Sequence, residues 1–211
     1  MSGLVDRLSV LADRARGSRD RLLAPESSSG DDQWQRVPLN AAVDRHIASL
    51  DPPSRTAAEI SGDAQAARPW KHFESLSFPE FDLCAPLAGQ GPFDVVICEQ
   101  VIEHVSDPVR AAANLRELSR PGGHVIVSTP FLIRIHELPL FGLRDYWRFT
   151  PRGLRTLLEH AGLTVDVVGS WGNRRCIAGN FDRWPAYRRW QSLRNEPDLP
   201  VQVWAFARNA R

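Results

Sequence analysis

A segment in the second half of the chain, residues 128–151, is rich in side chains that bind substrates or move protons. Its sequence is STPFLIRIHELPLFGLRDYWRFTP. His136 is a candidate general base, because an imidazole titrates near neutral pH. Asp145 is a second candidate catalytic residue, since its carboxylate could orient that imidazole. The candidate substrate-binding residues of this segment are Arg134, Tyr146, Trp147 and Arg148.

The same residues also admit a structural interpretation. Asp145 and Arg148 can form a structural ion pair, while Tyr146 and Trp147 pack a lid over the domain. Arg148 can instead bind an anionic group of a substrate. Loops of this length in compact domains are functional or disordered, and the aromatic residues argue against disorder. The sequence alone leaves both interpretations open.

A second group of polar residues follows an apolar run at residues 93–98. Glu99 and Gln100 come directly after this run, and His104 follows shortly after. The run is rich in β-branched residues, which favours a central parallel strand that is covered on both faces. Ligands of such sheets bind beyond the carboxyl ends of the strands, so these residues are candidate ligand contacts. His104 can also be a structural histidine that is bonded to the backbone.

The elements that position these residues follow from the pattern of residues 93–130. After a helix start at Asp107 and Pro108, apolar residues recur at helical intervals, at Val109, Ala112, Leu115 and Leu118. A Pro-Gly-Gly sequence at residues 121–123 predicts the end of this helix, and residues 124–127 predict a second buried strand. The pattern therefore predicts a strand–helix–strand crossover.

This crossover resembles the middle of a class I S-adenosylmethionine-dependent methyltransferase of the type 11-like domain family. The resemblance rests on FDVVICEQVIEHVSDP followed by PGGHVIVSTP, and it covers residues 56–208. It implies an α/β fold, with a Rossmann-like, mostly parallel seven-stranded sheet, helices on both faces and an antiparallel final strand pair. It also implies S-adenosylmethionine as cofactor. Glu99, Gln100 and His104 then become cofactor-binding candidates, the first two near the methionine amino group or the methyl-transfer site.

The resemblance places the cofactor loop after a first strand at residues 56–60. Glu59 stands at the acidic position near the end of that strand, and Ser61 and Gly62 follow. Family members have a glycine-rich turn there, and glycines allow positive φ and a close approach of the backbone. This chain keeps only Gly62, with Ser61 where another glycine is expected. We therefore describe the loop as degenerate and count all three residues as cofactor-binding candidates.

Further cofactor contacts are implied between residues 72 and 84. The second strand, at residues 72–78, lacks the carboxylate with which family members hold the ribose hydroxyls. Either Glu80 could reach round to them, or Ser77 could be a weaker partner. Residues 80–84 resemble the short strand and acidic turn that contact adenine, with Asp82 and Leu83 at its centre. A parallel connection needs about a dozen residues, so we expect either no full strand there or a compressed topology.

The C-terminal part reads as a helix followed by two strands. Thr150 and Pro151 predict a helix start, Gly162 predicts its end, and residues 163–168 and 201–207 predict the final antiparallel pair. Residues 170–200 between these strands are rich in Trp and Arg. Such residues can stack on bases or sugars, or can seal a helical insertion against the sheet.

Length, composition and charge restrict the organisation and partners of the chain. The 211 residues are 43% hydrophobic, which suffices for one full core. We expect an N-terminal helical arm or lid over residues 1–52, with an amphipathic helix at residues 4–23, and a methyltransferase-like domain over residues 53–211. The arm could also be a dimer contact or a loose tail, so a homodimer is one option.

The net charge of +1 gives no global field that would attract nucleic acid, so nucleic acid is not an expected partner. No stretch approaches the roughly 20 apolar residues of a membrane span. The three cysteines have neither disulfide nor metal-type spacing, and the N-terminus lacks a signal-peptide core, so we expect a cytoplasmic protein without a metal site.

The function predicted from these observations is methyl transfer from S-adenosylmethionine to an oxygen or nitrogen of a small molecule. The pattern P-F-x-x-x-x-H followed by D-Y-x-R-F-T-P-x-G-L resembles a subgroup that modifies sugars, glycans or natural products. We therefore expect a sugar, a glycan precursor or a natural product as the acceptor. The alternative is a non-catalytic binding or scaffold protein that kept the fold and lost the cofactor.

Overall fold

The computed structural model describes residues 33–137, 142–181 and 183–210. Four α-helices are described: α1 (Arg36–Ala48), α2 (Pro108–Leu118), α3 (Pro151–His160) and α4 (Arg174–Gly179). The strands are β1 (Thr56–Ile60), β2 (His72–Leu76), β3 (Phe93–Glu99), β4 (Ser119–Pro130), β5 (Thr164–Trp171) and β6 (Gln202–Arg208). The amphipathic helix predicted at residues 4–23 lies outside the described residues.

These strands form one mixed sheet in the order β2-β1-β3-β4-β6-β5. Strands β2, β1, β3 and β4 are parallel, and β6 runs antiparallel to both β4 and β5. The carboxyl ends of the four parallel strands therefore share one edge of the sheet, which we call the carboxyl edge. β6 begins at this edge because it runs the other way. The Rossmann-like α/β fold and the antiparallel final pair are thus confirmed.

The sheet has six strands within the described residues, whereas the resemblance predicted seven. Residues 80–84, the expected extra strand, form turns. The Asp82 carboxylate accepts a hydrogen bond from the Cys84 N–H at 2.8 Å, and the Phe81 N–H donates to the Ser77 carbonyl at 2.9 Å. These local bonds replace strand pairing. Residues 77–79 are also too few to return the chain from β2 to a parallel strand at residues 80–84, since such a connection needs about a dozen residues.

The crossover β3-α2-β4 lies in the middle of the sheet, as predicted. The Asp107 carboxylate caps α2 by accepting a hydrogen bond from the Arg110 N–H at 2.9 Å, and Pro108 occupies the first turn. The helix ends at Leu118, earlier than the Pro-Gly-Gly sequence, which lies within β4. Because Ser119 already has extended backbone angles, the strand begins before the glycines.

The buried face of α2 differs by one residue from the predicted face. Ala111, Leu115 and Leu118 are fully buried, whereas Val109 is 50% exposed. Val109 precedes Ala111 by two positions and is therefore turned by about 200° around the helix. The predicted residue Ala112 is buried as well, so the apolar stripe is broad but does not include Val109.

Apolar side chains cover both faces of the sheet. On one face, Val96, Cys98, Val125 and Val127 pack in a core with α2 and α3. On the other face, Leu39, Val43 and Ile47 of α1 pack with Val95, Ile97 and Ile126. Successive residues of β3 and β4 thus pack alternately against the two faces, as expected for strands that are buried on both sides. The boundary predicted between residues 52 and 53 stays a prediction, since residues 1–32 lie outside the described part.

None of the helices in the described part of the chain is long and apolar enough to cross a membrane.

Candidate active site

A cavity of about 350 Å³ opens at the carboxyl edge, beyond β1 and β3. We call it the first cavity. Phe78 and Phe81 supply apolar surface that the sequence analysis did not identify. Six of the predicted cofactor-binding residues line the same cavity: Ser61, Asp82, Leu83, Glu99, Gln100 and His104. A largely apolar cleft of this size with a few polar groups is typical of small-molecule sites.

The loop after β1 is shaped from inside by a buried carboxylate. Glu59 accepts a hydrogen bond from the Gln65 N–H at 2.9 Å, and its burial raises its pKa. A Cβ at Gly62 would lie 2.7 Å from a carboxylate oxygen of Glu59, so a larger residue there would displace that carboxylate. Neither residue lines the first cavity. Glu59 and Gly62 therefore hold the loop in place.

Ser61 has the backbone conformation that explains why glycine is typical at this position. Its φ is 53°, in the left-handed region that most residues avoid. The Ser61 hydroxyl accepts a long hydrogen bond from the Phe78 N–H at 3.5 Å. The chain thus keeps the turn without the glycine. Ser77 does not line the cavity, and its hydroxyl lies 3.1 Å from that of Ser75, which donates to the Gly62 carbonyl.

Two polar side chains, those of Glu99 and Gln100, lie at the carboxyl end of β3. The Glu99 carboxylate accepts a hydrogen bond from the Gln65 side chain at 3.1 Å and lies 3.7 Å from the Arg36 guanidinium. Gln100 has a φ of 57° and donates its side-chain amide to Ser128 at 3.1 Å and to Gln202 at 2.9 Å. Gln100 therefore connects the ends of β3, β4 and β6.

A second cavity, of about 240 Å³, lies beside the first, and Gln100 lines both. Its walls come from the start of α1, the segment after β4 and the start of β6. The residues that line it are Gln33, Gln35, Arg36, Gln100, Ile133, His136, Trp184 and Gln202. Six of these eight side chains are polar or charged, so this cavity suits a polar ligand.

Arg36 is the cationic side chain of the second cavity. Its Nε and one terminal nitrogen are buried and have no hydrogen-bond partner among the described residues. The other terminal nitrogen lies 3.7 Å from Glu99, too far for a hydrogen bond. Sequence analysis missed Arg36 because it assigned this helix to the N-terminal arm. A basic residue at the first position of a helix gave no local signal of a site.

His136 and Asp145 lie together, as the sequence analysis proposed. Nδ1 of His136 lies 3.0 Å from a carboxylate oxygen of Asp145, as a charge contact without hydrogen-bond geometry. The same oxygen accepts the His136 backbone N–H at 2.8 Å. Burial lowers the pKa of His136, although the charge of Asp145 opposes this effect.

The carboxylate of Asp145 is shared with Arg148. The Arg148 guanidinium donates to both oxygens of Asp145, and one of these hydrogen bonds measures 2.6 Å. Burial acts to raise the pKa of Asp145, but the bonds from Arg148 and His136 outweigh it and lower this pKa. Arg148 also donates to the Arg134 carbonyl at 3.0 Å. Arg148 is therefore engaged within the protein.

The remaining predicted substrate-binding residues occupy different surroundings. The Arg134 guanidinium lies 4.6 Å from the centre of the Trp184 ring and donates to the Asn180 carbonyl. The Trp147 indole donates to the Val105 carbonyl at 2.8 Å. Arg134 and Trp147 line neither of the two cavities, whereas Tyr146 lines the first cavity. Trp184 contacts His136 edge to face, with ring centres 5.3 Å apart.

His104 stands between the two cavities. Its Nδ1 lies 2.5 Å from the Arg144 carbonyl, and its ring centre lies 4.9 Å from that of His136. Burial lowers the pKa of His104. The predicted backbone bond of this histidine is thus present, and the ring also lines the first cavity.

The family model described as "Methyltransferase domain" matches residues 27–168. The chain belongs to this family. The match covers the described α1, the crossover and the segment that carries His136 and Asp145. The recognition of a class I methyltransferase from the crossover sequence is therefore confirmed.

Curated relatives and solved structures agree with this membership. A ubiquinone biosynthesis O-methyltransferase of Acinetobacter baumannii is 32% identical over 131 residues, which is 53% of this chain and 54% of that protein. The enzyme of the same name from Xylella fastidiosa is 28% identical over 111 residues, 43% of this chain and 44% of that protein. The chain thus spans about half the length of the curated relatives it matches.

The fold is similar to that of a 1,6-didemethyltoxoflavin-N1-methyltransferase of Burkholderia thailandensis, solved with bound 1,6-didemethyltoxoflavin and S-adenosylhomocysteine. The TM-score is 0.57 at 15% identity, with 98% of this chain and 90% of that chain covered. An S-adenosylmethionine-dependent methyltransferase of Mesorhizobium loti has a TM-score of 0.50 at 14% identity, with 78% and 96% covered. At these identities the likeness concerns the fold.

Proposed function

We propose that this methyltransferase domain transfers a methyl group from S-adenosylmethionine to an oxygen or nitrogen of a polar small molecule. The observation that carries the proposal is the meeting of two cavities at Gln100, on the carboxyl edge of the sheet. Doubly wound sheets bind their ligands at this edge. The names of the relatives support it, since they are O- and N-methyltransferases and one was solved with S-adenosylhomocysteine.

The first cavity offers side chains that suit the adenine and methionine parts of S-adenosylmethionine. Phe78, Phe81 and Leu83 offer apolar surface for the adenine ring, and Asp82 offers a carboxylate beside it. Glu99 and Gln100 suit the charged amino group of the methionine part, because carboxylate and amide oxygens accept hydrogen bonds. Ser61 brings the backbone of the first loop to the cavity wall. The cofactor supplies a methyl group that is already activated by its positive sulfur.

The second cavity is the proposed acceptor site. Its amide side chains donate and accept hydrogen bonds, and Arg36 has free donors for an anionic or hydroxyl group. An acceptor with several polar groups, such as a sugar, a glycan precursor or a hydroxylated natural product, fits this lining. Because Gln100 borders both cavities, an acceptor here lies next to the methionine end of the first cavity.

The protein's own part in the reaction is to position the acceptor and to manage one proton. An acceptor held in line with the methyl group gains from proximity, which can lower the barrier by several kcal/mol. His136 remains the candidate general base, since its imidazole faces the second cavity and Asp145 holds its ring. Asp145 is a positioning residue in this scheme because it acts through His136.

A pair of tryptophan substitutions tests the cofactor site. Ser106 is exposed and lines the mouth of the first cavity, whereas the exposed Val109 does not line it. We expect Ser106→Trp to weaken S-adenosylhomocysteine binding at least about tenfold by steric exclusion, about 1.4 kcal/mol. Val109→Trp should leave this affinity within about twofold. Titration calorimetry measures both, and equal affinities would refute the proposed cofactor site.

Methyl transfer itself is tested by mass spectrometry. The purified chain is incubated with S-adenosylmethionine and a panel of sugars, sugar nucleotides and hydroxylated aromatic compounds. The expected result is a product that carries one added methyl group, formed in step with S-adenosylhomocysteine. Cofactor binding without any methylated product across the panel would favour the non-catalytic alternative.

A further inference from the structure

Three side chains that can ligate a metal ion come together between the two cavities. Glu103 and His104 belong to the turn after β3, and His136 belongs to the segment after β4. One ligand atom of each lies within 4.8 Å of the ligand atoms of the other two. No metal site was expected from the sequence, in which no residues have the spacing of a metal-ligand cluster.

Glu103 is an unusual member of this group. Its side chain is fully buried, and neither carboxylate oxygen has a hydrogen-bond partner among the described residues. A buried carboxylate without a partner is costly, so its presence calls for a ligand or another specific role.

Both histidines are held in the way that metal-bound histidines are. The Arg144 carbonyl only accepts hydrogen bonds, so Nδ1 of His104 carries the proton and Nε2 is left with a lone pair. That Nε2 lies 3.7 Å from an oxygen of Glu103. Nδ1 of His136 lies 3.0 Å from the carboxylate of Asp145, and its Nε2 makes no hydrogen bond with the residues that the structure describes. A carboxylate or carbonyl behind the histidine is the usual outer contact of a metal site.

We propose that Glu103, His104 and His136 bind a divalent transition-metal ion of the zinc class. Two imidazoles and one carboxylate are ligands that Zn²⁺ and its first-row neighbours accept, whereas Mg²⁺ and Ca²⁺ prefer oxygen ligands alone. Bonds of about 2.1 Å in a tetrahedral arrangement place ligand atoms about 3.4 Å apart. Ligand atoms that lie up to 4.8 Å apart therefore need to approach each other by at most about 1.4 Å.

The place of the site suggests what the ion does. His104 lines the first cavity and His136 lines the second, so the ion lies where the proposed acceptor meets the proposed cofactor. Three protein ligands leave a coordination position open, which is the pattern of catalytic rather than structural zinc. An acceptor hydroxyl bound there would lose its proton more easily. This role rests on the proposed function, whereas metal binding itself does not.

Cobalt and zinc titrations of the full chain test the binding. The chain, freed of any histidine tag and of metal, is titrated with Co²⁺ by visible absorption and with Zn²⁺ by calorimetry. We expect one equivalent to bind, with a visible band from Co²⁺ of low coordination number, and no comparable binding of Mg²⁺. Glu103→Gln and His136→Gln should each weaken Zn²⁺ binding at least about a hundredfold.

His72→Gln is the matched control, because His72 is an exposed histidine on β2, away from this group. It should bind Zn²⁺ as the native chain does. Equal Zn²⁺ affinity in Glu103→Gln and the native chain would overturn the proposal, as would a folded native chain that binds no Zn²⁺. Gln is close in size to Glu, so we expect Glu103→Gln to fold. A circular-dichroism melt of each variant shows whether the variant is folded, so that lost Zn²⁺ binding is not mistaken for unfolding.

S-adenosylhomocysteine affinity in the same samples separates this inference from the proposed function. If only the metal site is wrong, cofactor binding persists while Zn²⁺ binding is absent or unaffected by the substitutions. If only the methyltransferase function is wrong, Zn²⁺ binds and the cofactor does not. A chelator then distinguishes the two roles of His136: it abolishes methyl transfer if the ion activates the acceptor, and leaves it unchanged if His136 acts as a base.

Discussion

Single residues at the carboxyl edge divide into those that shape loops and those that face the cavities. Glu59 and Gly62 shape the first loop, and Asp145 and Arg148 hold the segment after β4. Arg36 belongs to the other class, because two of its nitrogens have no hydrogen-bond partner within the described residues. Such a group gains most from a ligand, since its desolvation has already occurred in the free protein.

Replacement of Arg36 tests the acceptor site. We expect Arg36→Gln to raise the KM for the acceptor found by mass spectrometry about tenfold, because a charged hydrogen bond is worth about 1.5–3 kcal/mol. S-adenosylhomocysteine affinity should change less than about threefold. Arg45→Gln, on an exposed face of the same helix, serves as the control. An equal loss of cofactor and acceptor binding would show that Arg36 supports the loop and not the acceptor.

Replacement of Ser61 tests whether the missing glycine of the first loop weakens cofactor binding. Glycine adopts the observed φ of 53° without strain, whereas a β-branched residue does not. We expect Ser61→Gly to keep S-adenosylhomocysteine affinity within about threefold and the free energy of unfolding within about 1 kcal/mol. Ser61→Val should lose affinity. A tenfold loss in Ser61→Gly, measured by calorimetry, would instead identify the Ser61 hydroxyl as a cofactor contact.

At the level of elements, the final strand pair depends on a close approach between β5 and β6. Gly169 faces Trp204 across the pair, and a Cβ on Gly169 would lie 2.3 Å from an atom of the indole. Trp204 is in turn part of the core that includes α1. The absence of a side chain at residue 169 thus makes room for an aromatic ring on that face of the sheet.

We expect Gly169→Ala to lower the free energy of unfolding by about 1–3 kcal/mol, the usual cost of forcing extra volume into a packed site. Val167→Ala on the same strand is the control, because Val167 is 46% exposed and its replacement should change stability by less than about 0.5 kcal/mol. Urea denaturation followed by circular dichroism measures both. Similar stabilities of the two variants would contradict the close packing of Trp204 on Gly169.

At the level of the whole molecule, an ion cluster at the start of β3 lies opposite the carboxyl edge. Asp94 accepts hydrogen bonds from the Thr56 N–H at 2.8 Å and the Thr56 hydroxyl at 2.9 Å, and it pairs with Arg55 and Arg120. These contacts connect β1, β3 and β4 at the edge of the sheet opposite the two cavities described above. The Asp94 ion cluster and the candidate ligand site therefore lie at opposite edges of the sheet.

The cluster predicts a pH-dependent contribution to stability. Burial acts to raise the pKa of Asp94, but the Thr56 hydrogen bonds and the arginine charges outweigh it and lower this pKa. The stabilisation is therefore complete above the unfolded value of about 3.9 and is lost as the pH falls through the lower folded value. Asp94→Asn should destabilise the chain by at least about 1 kcal/mol at pH 7 and progressively less below pH 4.

Denaturation at several pH values checks this prediction. Asp44→Asn is the control, because Asp44 pairs with Arg68 at the surface with 58% of its side chain exposed. Its effect should be small at every pH. A destabilisation by Asp94→Asn that does not depend on pH would mean that the charge of Asp94 contributes nothing.

The sequence by itself determined the features that depend on local spacing. The crossover, the caps at Asp107 and Thr150 and the last two strands follow from apolar periodicity, capping residues and turn residues, and all are present in the structure. The antiparallel pairing of those two strands was implied by the resemblance. The family followed from the same crossover. Such features are readable because a strand or helix places neighbouring residues at known intervals.

Only the tertiary structure decided which side chains meet. Arg36 reaches the second cavity because α1 packs against the sheet, and His136 approaches Glu103 and His104 because β3 and β4 are neighbours. The absence of a strand at residues 80–84 was already one of the two outcomes expected from the short connection before it, and the structure adds the local hydrogen bond at Asp82. Contacts between residues distant in sequence depend on how whole elements pack, and no local pattern records that packing.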